Sequence, residues 1–386
     1  MSTLILSDLH LGSVAGVDVL RREELRAPLL EAAAAADRVV LLGDVLELRH
    51  GPVREAMAVA RPFFEDLGRV LAGRELVITA GNHDHALVEP WLAQRGLDAE
   101  PAPLGLEQML EPAEASPALA RLAEWAEPAR TRIAYPGLWV REDVYATHGH
   151  YLDSHLTVPT LERLSVGAMS RLLGRPPSTF ASVADYESAG APVFAWRDAV
   201  AREEHTGDAL NGLATVNAWR ALRGGGDLGG QEARPARRLS RARALRRLRG
   251  RALVHGFPIA VAALNRAGLG PLKAEVSTAE LRRAGLRAMG EVAERLGVGD
   301  AHVVFGHTHR TGPLPGDDTL EWRGRGGARL LNTGSWAYAA IFLTDDPRES
   351  PYWPGGCVLV EDSGPPRVLR LLQDRTRQQI RPPRSD

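Results

Sequence analysis

The segment TLILSDLH, residues 3–10, joins an apolar run of strand character to two candidate metal ligands, Asp8 and His10. Four further segments repeat this pattern of a strand-like run that ends at polar residues. They are RVVLLGD at 38–44, ELVITAGNHD at 75–84, DVYATHG at 143–149 and HVVFGHTH at 302–309. Five such repeats rarely arise by chance, so the pattern predicts one β-sheet that carries hard-metal ligands to one edge.

Two of the segments carry paired ligands separated by one residue. Asp8 and His10 form the first pair, and His307 and His309 form the second. Side chains alternate between the two faces of a strand, so residues two apart point to the same side. Each pair can therefore contact one metal ion together.

The other segments supply single ligands of different kinds. Asp44 has two carboxylate oxygens and can bridge two ions, Asn82 offers an amide oxygen, and His148 offers an imidazole. Mixed oxygen and nitrogen ligation without thiolate suits Mn²⁺, Fe or Zn²⁺. Two ions about 3.5–4 Å apart would clamp a phosphoryl group and generate a bound hydroxide near neutral pH. We expect two divalent ions, with Mn²⁺ preferred, and hydrolysis at phosphorus.

The pattern along the chain predicts a core interrupted by an insertion. Residues 1–155 alternate between strand and helix patterns, which is typical of an α/β layer architecture, with a helical excursion at 104–126. In 156–296 no clear strand run appears and Ala, Leu and Arg dominate, so we predict a helical insertion that forms a cap. The core resumes at 297–374, and 375–386 is a polar tail.

Composition favours a cytoplasmic protein, with peripheral membrane contact as the alternative. The net charge of −1 gives no overall attraction to nucleic acid or membrane. Cys357 is the only cysteine, which fits a reducing compartment. Because Met1 lies so close to the first strand, we expect no signal peptide. The apolar stretch 252–264 is shorter than the ~20 residues of a spanning helix, so we expect no membrane span there.

The five segments together resemble the motif blocks of the calcineurin-like metallophosphoesterase superfamily. These blocks are Asp-x-His, Gly-Asp, Gly-Asn-His-Asp, His-Gly and Gly-His-x-His, and here they occur in the family's order across residues 8–309. The resemblance implies a four-layered α/β sandwich, in which two mixed β-sheets are flanked by helices. It also implies a dinuclear phosphoesterase that cleaves a phosphomonoester, phosphodiester or pyrophosphate bond.

The resemblance also implies which residues hold each ion. One ion would be held by Asp8, His10, Asp44 and His309. The other would be held by Asp44, Asn82, His148 and His307. His83 matches the family's histidine that protonates the leaving-group oxygen or steadies the charge of the transition state. Glu47 is then either an acid that orients His83 or a solvated side chain. The form GDVLE at 43–47 is similar to the UDP-2,3-diacylglucosamine pyrophosphohydrolase branch.

The sequence leaves the roles of three residues in or beside the blocks open. His150 and Asn82 are the candidate substrate contacts, although His150 could equally be a loop histidine without a role. Asp84 is expected to cap the helix that follows it.

The arginine-rich run 234–251 leaves the partner open. It could be a solvated helix face, a site for the non-reacting phosphates of a nucleotide or phospholipid, or, together with the apolar residues up to 264, a peripheral membrane contact. The expected substrate is therefore a small phosphate ester, a nucleotide or a lipid-linked molecule. Nucleic acid is not favoured, because the rest of the chain has no basic excess. A nuclease and a non-catalytic binding scaffold of the same fold remain as alternatives.

Overall fold

The computed structural model describes residues 1–49, 51–97, 101–158, 160–172, 174–203, 264–266, 272 and 278–383. Within these residues, hydrogen bonds join ten strands into one mixed sheet. The strands are β1 (Thr3–Leu6), β2 (Arg38–Leu42), β3 (Glu75–Thr79), β4 (Glu107–Leu110), β5 (Arg130–Arg141), β6 (Val144–Thr147), β7 (His302–Phe305), β8 (Arg329–Asn332), β9 (Gly356–Val360) and β10 (Arg367–Arg370). Their order in the sheet is β10-β9-β1-β2-β3-β5-β6-β7-β8, and β4 pairs with β5.

The helices flank this sheet and fill the described part of the predicted insertion. They are α1 (Glu23–Ala34), α2 (Val53–Val70), α3 (Glu89–Arg95), α4 (Pro112–Ala115), α5 (Pro117–Trp125), α6 (Leu161–Leu172), α7 (Val183–Glu203), α8 (Thr278–Arg295) and α9 (Arg377–Ile380). Short 3-10 helices add Val19–Arg21, His85–Leu87, His150–His155 and Pro177–Thr179. The described residues of 156–296 contain α6, α7 and α8 and no strand.

The long strand β5 links two parallel sets of strands. Its first residues pair in parallel with β3, and its last residues pair antiparallel with β6. On one side of it β1, β2 and β3 run parallel to one another, and on the other side β6, β7 and β8 do the same. A buried apolar cluster joins the two sets, with Ile5 and Val40 from the first and Ala146 and Val304 from the second.

The strands of the first set are buried on both faces, which explains their uninterrupted apolar runs. Leu4 and Leu6 pack in the cluster that also holds α1 and α2, whereas Ile5 between them packs in the cluster shared by the two strand sets. Helix α2 supplies a matching apolar face, with Ala60, Phe63 and the neighbouring positions buried at helical spacing.

The prediction of a mixed α/β architecture is confirmed, and one local prediction differs from the structure. Residues 104–126 are not wholly helical, because β4 pairs with β5 ahead of α4 and α5. Within the predicted polar tail lies the short helix α9, whose Ile380 is fully buried against the core. The division of the strands into two packed sheets stays a prediction.

Two of the expectations from sequence concern membranes: the lack of a spanning helix and a peripheral contact at 234–264. None of the helices in the described ranges is long and apolar enough to cross a membrane. The arginine-rich run 234–251 and the proposed membrane contact 234–264 lie outside the described residues, apart from Leu264.

Candidate metal centre

Hydrogen bonds join the turns after β1, β2, β6 and β7, which brings four of the five ligand segments together. After β1, the backbone N–H of Asp8 donates to the carbonyl of Gly43 at 3.1 Å, beside β2. After β7, the N–H of Gly306 donates to the carbonyl of His148 at 2.9 Å, beside β6. The two ends meet where the N–H of His307 donates to Asp8 Oδ2 at 2.9 Å.

Most of the candidate ligands share a costly backbone conformation. In the described part of the chain, the non-glycine residues with positive φ are Asp8 (56°), His10 (47°), Asp44 (50°), His307 (63°) and His309 (58°). This left-handed region costs roughly 1–2 kcal/mol for a residue with a Cβ atom, and such strain clusters at functional sites. The strained residues are five of the seven that the sequence predicts as ligands.

Close packing of two turns around the carboxylates requires glycine. A Cβ atom on Gly81 would lie 2.2 Å from Asp44 Oδ1, and one on Gly306 would lie 2.4 Å from Asp8 Oδ2. These distances are far below van der Waals contact. The glycines that precede Asn82 and His307 therefore allow the ligand turns to approach one another.

One group of side chains that could hold a metal ion consists of Asp8, His10 and His309. His309 Nε2 lies 3.1 Å from both Asp8 Oδ1 and His10 Nε2. Atoms that bind one ion at about 2.1 Å and at right angles lie about 3 Å apart. Asp8 Oδ1 is buried and accepts no hydrogen bond from the part of the chain that the structure describes, so this oxygen is available as a ligand.

A second group consists of Asp44, His148 and His307. His148 Nε2 lies 3.3 Å from Asp44 Oδ2. Asn82 Oδ1 joins this group, since it lies 3.1 Å from His148 Nε2 and 3.0 Å from His307 Nδ1. If the Asn82 amide were turned by 180°, its nitrogen would donate to both imidazoles and its oxygen would accept from Arg49. The first orientation presents a metal ligand, and the second satisfies hydrogen bonds alone.

Burial and charge make the site favourable for cations. Burial would raise the pKa of Asp8, but the neighbouring His309 lowers it to about 2. The pKa of Asp44 is likewise held well below its usual range, against the effect of burial, by His148 and His83. The carboxylates therefore stay charged inside the protein, and buried charges require compensation.

The buried histidines compensate this negative charge. Burial would lower the pKa of His148, but the Asp44 carboxylate raises it to about 10. The pKa of His10 is raised to about 9, since Glu47 and Asp44 outweigh its burial. In the metal-free site, protons on these imidazoles supply the positive charge that divalent ions would bring when bound. Buried Asp and His groups at this site could thus hold a metal ion.

Glu47 lies between two histidines and is buried, which rules out the solvated alternative. Its carboxylate is 2.9 Å from His83 Nδ1 and 3.2 Å from His10 Nδ1. The backbone N–H of His83 donates to Asp44 Oδ1 at 2.7 Å. Burial lowers the pKa of the His83 imidazole to about 4, even though Glu47 acts in the opposite direction.

The site opens to solvent on the side of His83 and His309. Their side chains are 22% and 30% exposed, whereas those of Asp44 and His148 are 2% and 0% exposed. A ligand from solvent would therefore meet His83 and His309 first.

His150 lies beside the site but is almost completely buried. Its ring centre is 5.6 Å from that of His148 and 5.4 Å from that of Phe194 in α7. Among the described residues, neither of its ring nitrogens has a hydrogen-bond partner. Burial, together with the neighbouring His148, holds its pKa well below the usual range. Its role as a substrate contact stays a prediction, as does that of Asn82.

Asp84 does not cap the following helix, contrary to the sequence expectation. Its carboxylate instead accepts backbone hydrogen bonds from Gly81 and Val45, both at 2.7 Å, and from Asp44 and Leu46 at 3.2 Å. Asp84 thereby holds the turn after β3 against the turn after β2. No local sequence pattern predicts this long-range arrangement.

Two further carboxylates near the site were missed by sequence reasoning. Asp153 Oδ2 lies 3.0 Å from His307 Nε2. Glu187 in α7 accepts hydrogen bonds from the Tyr135 and Tyr151 hydroxyls and lies 3.3 Å from His85 Nε2. The position of Asp153 five residues after His148, on the first turn beyond a ligand, was the only available signal.

Comparisons with known proteins add no relative to this description. A scan against protein-family models found no match to the sequence, and a search of curated proteins found none either.

Proposed function

We propose that this protein is a dinuclear metal-dependent phosphoesterase of the calcineurin-like metallophosphoesterase type. It would hydrolyse a phosphomonoester, a phosphodiester or a pyrophosphate bond. The observation that carries the proposal is the position of Asp44 between the two sets of ligands. Asp44 Oδ2 is 3.3 Å from His148 Nε2 and 3.9 Å from His10 Nε2. A carboxylate in this position is suited to bridge two ions, an arrangement that phosphoryl hydrolases use.

The donor set fits divalent ions, with Mn²⁺ preferred and Fe or Zn²⁺ as alternatives. Asp8, His10, Asp44 and His309 would hold one ion. Asp44, Asn82, His148 and His307 would hold the other. When bound, two such ions polarise a phosphoryl group and activate water for attack at phosphorus.

His83 is suited to assist departure of the leaving group. Its Nδ1 faces Glu47, so Nε2 is the ring nitrogen left to face a substrate. Burial and the nearby Arg49 keep its pKa low in the absence of substrate. The negative charge of a bound phosphate would favour proton uptake at Nε2, from which the proton can pass to the departing oxygen.

The proposed fold is the four-layered sandwich of this superfamily. The apolar cluster shared by the two parallel strand sets supports it, because two packed sheets bury such a layer between them. The core would comprise 1–155 and 297–374, and 156–296 would form a cap. The packing of Phe194 from α7 against the rings of His85 and His150 supports a cap beside the site.

A substrate panel tests the proposal. Protein stripped of metal with a chelator and then supplied with Mn²⁺ should hydrolyse an aryl phosphate, an aryl phosphodiester or a nucleotide pyrophosphate. Asp44→Asn, which keeps the shape of the side chain, should lose both metal binding and turnover. If the protein binds two ions and cleaves none of these bonds, a non-catalytic scaffold is the better description.

The identity of the partner is tested separately. A nuclease that contacts several phosphates should lose affinity for nucleic acid steeply as salt increases. We propose a small or lipid-linked phosphate ester instead, and hence no salt-sensitive binding of nucleic acid. Co-sedimentation with anionic vesicles, before and after deletion of 234–264, tests peripheral membrane contact of a cytoplasmic protein.

A further inference from the structure

We infer that Asp153 is a positioning residue for one of the two ions, the ion held by Asp44, Asn82, His148 and His307. It would act by holding the His307 imidazole with its Nδ1 lone pair directed at the ion. This inference deepens the proposed function and rests on it, because it concerns the metal site on which that function depends.

The geometry separates the two nitrogens of His307. Nε2 lies 3.0 Å from Asp153 Oδ2, and Nδ1 lies 3.0 Å from Asn82 Oδ1. An ionised carboxylate can only accept hydrogen bonds, here from an imidazole N–H, and has no hydrogen to donate. Asp153 therefore favours the tautomer that carries hydrogen on Nε2, which leaves Nδ1 as the ligand atom.

The side chain of Asp153 is buried and held in place. It belongs to the short helix His150–His155, and its side chain is only 4% exposed. Tyr151 and Leu152 on this helix pack in one apolar cluster with Met289 and Val292 of α8. A carboxylate fixed in this way can hold an imidazole at one angle without loss of side-chain entropy when the ion binds.

A hydrogen bond of this type raises the affinity of a histidine for metal. It increases the basicity of the ring and fixes its orientation, and its removal typically lowers metal affinity by about 10–100-fold. The effect should be limited to one ion, because the other ion's His10 has a carboxylate partner of its own. That partner is Glu47, 3.2 Å from His10 Nδ1.

The binding of Mn²⁺ by Asp153→Asn and Asp153→Ala tests the inference without any substrate. Bound metal is measured after dialysis against a series of free Mn²⁺ concentrations, and the electron paramagnetic resonance spectrum distinguishes coupled from isolated Mn²⁺. The matched control is Asp143→Asn, which removes the same charge at the opposite end of β6. Asp143 is half exposed and pairs with Arg141.

We expect the wild type and Asp143→Asn to bind two coupled ions. Asp153→Ala should bind one of the two ions about 10–100-fold more weakly and show isolated Mn²⁺ at intermediate concentrations. Asp153→Asn should lose less affinity, because its amide oxygen still accepts the hydrogen bond. Equal affinity in the wild type and both Asp153 variants would overturn the inference.

A double-mutant cycle separates positioning from a general structural effect. If Asp153 acts through His307, Asp153→Ala should cause no further loss of metal in the His307→Ala background. The same loss in both backgrounds, or equal weakening of both ions, would overturn the inference. If two ions bind as expected but no phosphate ester is cleaved, the proposed function fails and the role of Asp153 stands.

Discussion

Glu47 Oε2 lies 2.9 Å from His83 Nδ1, so a buried carboxylate fixes the orientation of a partly exposed imidazole at the mouth of the site. The same oxygen is 3.2 Å from His10 Nδ1. One acidic side chain thus joins a candidate metal ligand to the candidate proton donor.

This relationship predicts the effect of His83→Ala. Metal content should be unchanged, because the variant removes no predicted ligand, while kcat should fall by about 10²–10⁴-fold for a poor leaving group such as an alkoxide. The loss should be smaller for an aryl phosphate, whose leaving group needs less protonation. The measurement is kcat across a series of leaving groups, with His302→Ala at the start of β7 as the control. Full turnover of the alkyl ester would show that the assigned role is wrong.

The strained backbone at His309 predicts that a glycine variant is more stable than an alanine variant at this position. His309 has a φ of 58° and a partly exposed side chain. In metal-free protein, His309→Gly should be more stable than His309→Ala by about 1–2 kcal/mol, since only glycine adopts this conformation without cost. Urea unfolding in the presence of chelator measures the difference. Ala58→Gly, on the exposed face of α2, should instead destabilise the protein by about 1 kcal/mol. An alanine variant as stable as the glycine variant would argue against strain at this position.

The tight approach at Gly81 predicts a specific loss of metal. In Gly81→Ala the new methyl group would displace the Asp44 carboxylate, because a Cβ atom there would lie 2.2 Å from Asp44 Oδ1. We expect Mn²⁺ affinity to fall by at least about tenfold. A Cβ atom on Gly51 would meet no atom of the described residues closer than 3.7 Å, so Gly51→Ala should bind metal as the wild type does. Unchanged metal binding by Gly81→Ala would contradict the close approach.

The buried carboxylate of Glu187 in α7 predicts that the stability contributed by its hydrogen bonds depends on pH. Burial would raise the pKa of Glu187, but hydrogen bonds with His85, Tyr135 and Tyr151 lower it below its usual 4.5. A lowered pKa contributes stability that is fully present above pH 4.5 and is lost as the pH falls below it. Glu187→Gln should therefore lower the free energy of unfolding by about 1–3 kcal/mol at pH 7.

The difference between wild type and Glu187→Gln should shrink below pH 4.5. Urea unfolding from pH 7 down to pH 3 measures it. Glu65→Gln, which breaks an exposed i,i+4 pair with Arg61 on α2, is the control and should change stability by less than about 0.5 kcal/mol. A difference that stays constant through this range would mean that the Glu187 charge does not stabilise the contact.

The strands and the candidate ligands could be predicted from the sequence because both follow local rules. An apolar run buried on both faces indicates a strand of a covered sheet, and the polar residue at its end marks the edge. Strands β1, β2, β3 and β7 begin and end at the same residues as the runs TLIL, RVVLL, ELVIT and HVVF. The fifth run, DVYAT, corresponds to β6, which begins one residue later. The ligand residues follow these strands directly.

The supporting residues could not be predicted in this way, because their partners are distant in sequence. The sequence predicts that Asp84 caps a helix, yet its carboxylate oxygens accept hydrogen bonds from the turn after β2. Asp153 and Glu187 lie in segments without a motif, and only the fold brings them to His307 and His85. Strand β4 was missed because its residues, EQML, have no alternating apolar pattern and depend on pairing with β5.

We propose that two ions joined by Asp44 are required for hydrolysis of a phosphate ester. A titration of metal-free protein with Mn²⁺, in which bound ions and the rate of aryl phosphate hydrolysis are measured in the same samples, tests this requirement. We predict that the protein takes up two ions, that the rate rises with binding of the second ion, and that Asp44→Asn shows neither. If metal-free protein still hydrolyses the ester, or if no ion is bound at the highest Mn²⁺ concentration, the two ions are not required.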